Sequence, residues 1–144
     1  MNTVRHLLKN KSDIIFSISP QAPAYEALEL MAEKELGALL VMEDDKLIGI
    51  FSERDYARKV ILKGRSSKVT LVGELMTTKL YCVSLSDTLD TCMTLITNQR
   101  IRHLPVLENG QVIGIITIGD VVKQIISGHE TTIRELEKYI LGGY

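Results

Sequence analysis

The sequence has few cysteines, no long apolar run and no strong excess of either charge. Cys82 and Cys92, the two cysteines in 144 residues, lie in apolar segments, which argues against a disulfide framework and predicts a reducing, cytoplasmic setting. No apolar run approaches the roughly 18 residues that a membrane span needs. The first residues, MNTVRHLLKNK, contain no signal-peptide core. A net charge of −1 gives no reason to expect nucleic acid or an anionic membrane as a partner.

Signatures of catalysis and of metal binding are absent as well. The chain has no G-x-S-x-G, H-E-x-x-H, C-x-x-C or G-x-G-x-x-G motif and no P-loop lysine. Its three histidines are scattered, and two cysteines ten residues apart without a histidine cluster do not predict a metal site. We therefore expect that the protein is not an enzyme and holds no metal and no tightly bound cofactor.

One segment of fifteen residues occurs twice, 65 residues apart and without a gap. VMEDDKLIGIFSERD at 41–55 corresponds to VLENGQVIGIITIGD at 106–120. Each copy predicts a strand, a tight turn, a second strand and the start of a helix. Such a repeat usually places two units around a pseudo-twofold axis. Because one unit of about 60 residues buries little apolar surface, we expect the two sheets to pack together and further apolar helix surface to remain for a second chain.

Apolar spacing around these hairpins predicts a mixture of helices and strands, an α+β fold. In the first repeat it predicts a helix at 3–11, an extended segment at 14–18, a helix from Ala24 that Gly37 caps, strands at 38–42 and 47–51, and a helix to about Lys63. The second repeat adds a helix at 72–76, an extended segment at 81–83, a helix to Gln99 and strands at 104–107 and 112–117. Two closing helices are expected, at 118–127, stopped by Gly128, and at 131–141, ended by Gly142-Gly143. The predicted ranges are 1–68 for the first repeat, 69–128 for the second and 129–144 for the last helix.

The pattern G-h-h-[ST]-x-x-D closes each hairpin, as GIFSERD at 49–55 and GIITIGD at 114–120. A hydroxyl and a carboxylate three residues apart at a helix start can cap the helix. The same pair can bind a ligand, since a carboxylate accepts both hydroxyls of a ribose and a helix N-terminus favours phosphate. The two roles are compatible. The candidate pairs are Ser52 with Asp55 and Thr117 with Asp120.

Basic residues are concentrated near the first of these motifs. They are Arg54, Arg58, Lys59, Arg102 and His103. Arginine suits phosphate oxygens, but an exposed helix face would also explain Arg58 and Lys59, and a solvated corner would also explain Arg102 and His103. In the first repeat, Gly37 and Ala38 correspond to Arg102 and His103, and Gly119 takes the place of Arg54 in the second repeat. The second motif therefore lacks the charges that surround the first.

With these motifs the chain resembles a tandem pair of CBS domains, often called a Bateman module. The segments RHLPVLENGQVIGIIT, VGELMT and SDTLDTCMTLI also carry the resemblance, which extends from Val4 to Ser127. It implies two β-α-β-β-α repeats packed through their sheets about a pseudo-twofold axis, with two clefts between them. It also implies a homodimer in the form of a flat disc and a regulated partner protein that the sequence does not identify. In the family, a cleft can hold an adenine nucleotide, with the ribose on the motif aspartate, the adenine in an apolar slot and the phosphates on basic residues.

Carried onto this chain, the resemblance implies a first cleft that comprises Ser52, Arg54, Asp55, Arg58, Arg102 and His103, with Ile18 at the adenine. The second cleft would comprise Thr117, Asp120, Val83 and Ala38, with phosphate binding in doubt. The expected ligand is AMP, ADP, ATP or NAD at roughly micromolar affinity, and S-adenosylmethionine shares the same adenosine. One alternative is a dimerisation scaffold with vestigial clefts. Another is a nucleotide hydrolase, for which no metal-binding carboxylates or general base stand out.

Overall fold

The structure is a computed structural model that describes residues 2–9, 11 and 14–140, without the side chains of 129–133 and 135–140. Its helices are α1 (Val4–Lys9), α2 (Ala24–Lys34), α3 (Glu53–Tyr56, continued by a π-helical segment at Ala57–Ile61), α4 (Val72–Leu75), α5 (Leu89–Gln99) and α6 (Ile118–Ile140). Its strands are β1 (Ser17–Ile18), β2 (Ala38–Glu43), β3 (Lys46–Ser52), β4 (His103–Glu108) and β5 (Gln111–Thr117). The predicted α+β fold is confirmed.

The repeated segment forms two antiparallel hairpins with the same register. β2 pairs with β3 and β4 pairs with β5, and each pair has an irregularity just after the equivalent valine, Val41 or Val106. The turn residues Asp44 and Asp45 both have positive φ, as do Asn109 and Gly110 in the second hairpin. Positive φ at both central residues is the backbone requirement of a two-residue type I′ turn, which Asn-Gly favours. A parallel neighbour completes each sheet: β1 pairs with β2, and the segment around Val83 pairs with β4.

The first helix of each repeat packs in the core of the other repeat. α1 contributes Val4 and Leu7 to the core under β4 and β5, and the backbone N–H of Val4 donates to the Asp87 carbonyl at 2.9 Å. α4 contributes Val72 and Leu75 to the core under β2 and β3. The packing of α1 and α4 crosses the predicted boundary between residues 68 and 69. The predicted ranges 1–68, 69–128 and 129–144 stay a prediction.

The two repeats meet where β2 and β4 begin, and β2 is buried along most of its length. In β2, Leu39 and Val41 face the first core, whereas Leu40 is on the other face and is buried as well. Successive strand residues point to opposite faces, so both faces of β2 are covered, as its continuous apolar run predicts. At the same junction, a Cβ on Gly37 would lie 3.7 Å from Nε2 of His103, the first residue of β4.

Two predicted helix ends are wrong. α2 ends at Lys34, and its cap is Glu35, which adopts the left-handed conformation at φ 56° as the equivalent Arg100 does at 53°, so Gly37 is not the cap. Gly128 does not stop a helix, because α6 continues through it to Ile140. An interior glycine costs a helix only about 1 kcal/mol relative to alanine, and no proline follows it. Asn10 and 141–143, which bear on other predicted helix ends, lie outside the described residues.

Candidate functional site

A cavity of about 740 Å³, here called the first cleft, opens between the two repeats where β3 ends and β4 begins. All the residues that the sequence predicts for it, except Ile18, line this cavity: Ser52, Arg54, Asp55, Arg58, Arg102 and His103. Further lining residues were not predicted as ligand contacts: Lys59, Thr77, Lys79, Leu80, Tyr81 and Arg100. Residues 77–81 follow α4, and the packing of α4 on the first repeat brings them to Asp55.

Asp55 is the buried acid of the first cleft, with 8% of its surface exposed. The backbone N–H and the hydroxyl of Ser52 both donate to its Oδ2 at 3.0 Å, and its own N–H donates to Ser52 Oγ at 3.1 Å. This reciprocal pair is a capping box at the start of α3, which confirms the capping prediction. Oδ1 points to other partners: the Thr77 hydroxyl donates to it at 3.1 Å, and Nζ of Lys59 lies 3.1 Å away.

The first cleft is strongly positive. Six cationic side chains line it against the carboxylates of Glu53 and Asp55, which gives a local net charge of +4 with His103 neutral, although the whole chain carries −1. Arg54 is held in place across the junction, because its Nη1 donates to the Arg100 carbonyl at 3.1 Å. A concave site with one sign of charge concentrates oppositely charged ligands. The cleft is therefore suited to an anion.

Apolar side chains line another part of the first cleft, and they are not the predicted ones. Ile50, Leu80, Tyr81 and Ile101 border the cavity. The predicted adenine contact Ile18 lies instead in the first core and Val83 in the second. The reason is the pairing of these segments with β2 and β4, which turns both side chains under the helices and away from the junction.

His103 lies where the two repeats meet and is partly buried. Burial lowers the pKa of His103 from its ordinary 6.5, and the positive charges of Lys11 and Arg102 lower it further, against a smaller opposing effect of Asp120. The imidazole is therefore neutral at pH 7 in the absence of ligand. The imidazole lines the first cleft, and its pKa is affected by the charges of Lys11 and Asp120, which lie at the second motif.

The second motif has the same capping geometry but a different partner for its carboxylate. The Thr117 N–H donates to Asp120 Oδ2 at 2.9 Å, and the Asp120 N–H donates to Thr117 Oγ1 at 3.0 Å. Lys11 Nζ donates to the same Oδ2 and, at 2.6 Å, to the carbonyl of Ile115. Burial raises the pKa of Asp120, but the hydrogen bonds from Lys11 and Thr117 and the charge of Lys11 outweigh it, and the pKa falls below 3.8.

The residues predicted for the second cleft are only partly brought together. Thr117 and Asp120 lie side by side, whereas Ala38 and Val83 are buried, at 7% and 3% exposure. None of the four lines the 740 Å³ cavity. Lys11 was missed because it lies two residues beyond α1, in a stretch with no motif.

Other groups with chemical potential are few. Cys82 and Cys92 are free thiols; burial raises the pKa of both, and with the charge of Asp87 it brings that of Cys92 to about 11. Among the described residues no cluster of histidine, cysteine and carboxylate side chains could hold a metal ion. No helix within that part of the chain is long and apolar enough to cross a membrane.

A family model for the CBS domain matches residues 4–62 and 72–127. A mitochondrial CBS domain-containing protein of Arabidopsis thaliana, CBSX3, is 43% identical over 125 residues; the match covers 83% of this chain and 61% of that protein, so the chain spans less than two thirds of that relative. A solved protein with CBS domains from Burkholderia ambifaria is 50% identical, covers 87% and 94% of the two chains, and superposes with a TM-score of 0.85.

A more distant solved structure shares the fold. The CBS domain pair of protein MJ0100 is 20% identical, covers 88% of this chain and 97% of that one, and has a TM-score of 0.76. It was crystallised with 5′-methylthioadenosine and S-adenosyl-L-methionine.

Proposed function

The chain belongs to the CBS domain family, and on that premise we propose that it binds an adenine nucleotide in the first cleft and transmits its occupancy to a partner protein. The observation that carries the proposal is Asp55, a buried carboxylate at the edge of a cavity with a net charge of +4. Candidate ligands are AMP, ADP, ATP and NAD. The cavity of about 740 Å³ falls in the range of small-molecule sites.

Each part of a nucleotide has a matching part of the first cleft. The ribose hydroxyls would donate to Oδ1 of Asp55, displacing Lys59 and sharing the oxygen with Thr77, while Oδ2 stays in the capping box. The adenine would lie among Leu80, Tyr81 and their apolar neighbours. Lys59, once released from the carboxylate, adds a further cation to the cleft.

The phosphates would contact the basic rim of the first cleft. Arg54, Arg102 and His103 were predicted for this role, and Arg58, Lys79 and Arg100 lie on the same lining. Because the cleft is positive, affinity should rise with the number of phosphates, in the order AMP, ADP, ATP. S-adenosylmethionine, whose sulfonium is cationic, should bind more weakly than any of these, although the distant MJ0100 pair was crystallised with it.

A regulatory role accounts for this site better than catalysis does. The first cleft has a basic rim, and of its two carboxylates, Glu53 and Asp55, the second is engaged in the capping box and in the ion pair with Lys59 rather than available to Mg²⁺. We therefore propose that the protein is not an enzyme. A rival proposal, a dimerisation scaffold with vestigial clefts, predicts that no adenosyl compound binds at all.

A second copy of the chain is the proposed structural partner, as a homodimer. Ile118, Val122 and Ile126 follow one another at four-residue spacing on α6 and are 37%, 39% and 52% exposed, a stripe suited to helix packing. Ile126→Glu should yield monomers in light scattering after gel filtration, and Gln124→Glu on the same helix should not. The regulated protein is a further, unidentified partner; nucleic acid and membrane are not proposed, and the two free cysteines are compatible with the proposed reducing cytoplasm.

The test is calorimetric titration with AMP, ADP, ATP, NAD and S-adenosylmethionine. Wild-type protein should bind ATP with about micromolar affinity, and Asp55→Asn, which keeps the side-chain shape, should weaken binding at least tenfold. The matched control is Asp90→Asn, an exposed residue of α5 outside the cleft. Equal ATP affinity of the Asp55→Asn and wild-type proteins would refute the proposed ribose contact.

A further inference from the structure

Lys11 forms an ion pair with Asp120, the carboxylate of the second motif. Its ammonium donates to Asp120 Oδ2 and to the Ile115 carbonyl, and it forms a salt bridge with the same carboxylate. Lys11 follows α1, whose Val4 and Leu7 are buried in the core beneath this motif. Lys11 lies two residues after this helix, and its backbone N–H donates to the Leu8 carbonyl at 3.1 Å, which ties the lysine to the end of α1.

The equivalent lysine of the other repeat does something different. Leu8 and Met76 are equivalent, because each packs on the hairpin glycine of the opposite motif, Gly114 or Gly49. Three residues further on stand Lys11 and Lys79. Lys79 does not pair with Asp55: it lines the first cleft, with Nζ 5.9 Å from the centre of the Tyr81 ring.

The partners of Asp55 have no counterparts at Asp120. The residue equivalent to Thr77 is Lys9, whose side chain has no hydroxyl. The residue equivalent to Lys59 is Gln124, whose side chain has no charge. Without a hydroxyl and a local cation, the second carboxylate takes its cation from Lys11. The two motifs therefore share their aspartate but differ in the group that neutralises it.

We propose that the Lys11 ammonium blocks the second cleft because it binds Asp120 where a ribose would bind. The chain therefore binds one nucleotide, in the first cleft. A ribose that bound Asp120 would have to displace an ammonium held by two oxygens, one of them a carboxylate. Loss of a charge-assisted hydrogen bond of this kind lowers affinity by about tenfold or more. The inference rests on the proposed function for the ligand class, but it concerns a residue and a cleft to which that function assigns no role.

The test is the number of ATP molecules bound per chain, measured by equilibrium dialysis at saturating ATP. Wild-type protein should bind one. Lys11→Met, which keeps the apolar stem without the ammonium, should bind a second, and Lys11→Met/Asp120→Asn should lose it again. Lys9→Met, an exposed lysine two residues away on α1, is the matched control and should bind one. Lys11→Gln repeats the measurement with a polar side chain if the methionine variant does not fold.

The outcomes separate this inference from the proposed function. One site in wild type and one in both Lys11 variants overturns the inference and leaves the proposed function intact. Two sites in wild type, with one lost in Lys11→Met, overturns it as well, because the lysine would then be a ligand contact. No binding in wild type but one Asp120-dependent site in Lys11→Met overturns the proposed function and supports the inference. No binding in any protein overturns both.

Discussion

Replacing Asp55 by alanine should destabilise the ligand-free protein more than the same change at Asp120. The Asp55 carboxylate accepts from the backbone and hydroxyl of Ser52, from Thr77 and from Lys59, and it is 8% exposed. Its removal abolishes the capping box and leaves the partly buried Ser52 N–H and Thr77 hydroxyl without this acceptor. Loss of such a cap and of buried acceptors costs about 1–3 kcal/mol. For a chain of this length that corresponds to a melting temperature lower by about 3–10 °C.

The equivalent change at Asp120 has a smaller expected cost. Its cap with Thr117 is the same, but its ion pair with Lys11 joins side chains that are 27% and 29% exposed, and solvent screens such pairs to about 1 kcal/mol or less. We expect a loss of about 0.5–2 kcal/mol. Both variants should be compared with wild type by urea unfolding at one protein concentration, without nucleotide. Equal stability of the Asp55→Ala variant and wild type, or a greater loss at Asp120, would refute this account of the capping boxes.

The pH dependence of the free energy of unfolding tests the ion pair of Asp120 as well. Its pKa is lower in the folded protein than the ordinary value of 3.8, so the unfolded chain binds the proton more readily. The carboxylate therefore contributes stability above about pH 3.8, and this contribution is lost as the pH falls through the folded-state pKa. Asp120→Ala should remove this part of the acid destabilisation. An unchanged pH profile below pH 4 would show that the ion pair with Lys11 does not form in solution.

Three further predictions concern the junction and the charge of the first cleft. Gly49→Ala should lower the melting temperature more than Gly128→Ala, because its Cβ would lie 2.6 Å from Met76 Sδ and 3.1 Å from the Thr77 carbonyl, whereas a Cβ at Gly128 in α6 would meet open space. In NMR titrations His103 should have a pKa below 6.5 that rises in Lys11→Met, and ATP affinity should increase as the pH falls through that pKa, since the protonated ring favours phosphate. Arg102→Ala should weaken ATP binding several-fold and reduce its salt dependence, which titrations at two ionic strengths would measure.

Much of the fold follows from local pattern. The ungapped repeat places both hairpins, because period-two alternation and the turn residues are read within a few positions of each other. The capping pair Ser52 and Asp55 is likewise a local feature, and so it could be predicted. Arg54, Arg58, Arg102 and His103 could be predicted because they stand next to the motif or before the equivalent strand, whereas Lys79 and Arg100 were not predicted.

The parts that could not be predicted depend on packing between distant segments. Exchange of α1 and α4 between the cores brings Thr77 to Asp55 and Lys11 to Asp120, and no local pattern encodes which core a four- or six-residue helix joins. Ile18 lies in the first core because β1 pairs with β2, whereas Tyr81 reaches the cleft because it follows α4. Gly128 was misassigned because a single glycine is a weak helix breaker when the apolar periodicity continues on both sides.

The central claim, that the first cleft is a nucleotide site organised by Asp55, is tested most directly by the crystal structure of the protein with ATP. We expect one ATP per chain, with its ribose hydroxyls within about 3.2 Å of Asp55 Oδ1 and its phosphates against Arg54, Arg102 and His103. Lys59 should have left the carboxylate, while Ser52 still caps the helix and Lys11 still holds Asp120. A cleft that remains empty at saturating ATP, or ATP bound with its ribose away from Asp55, would contradict the account.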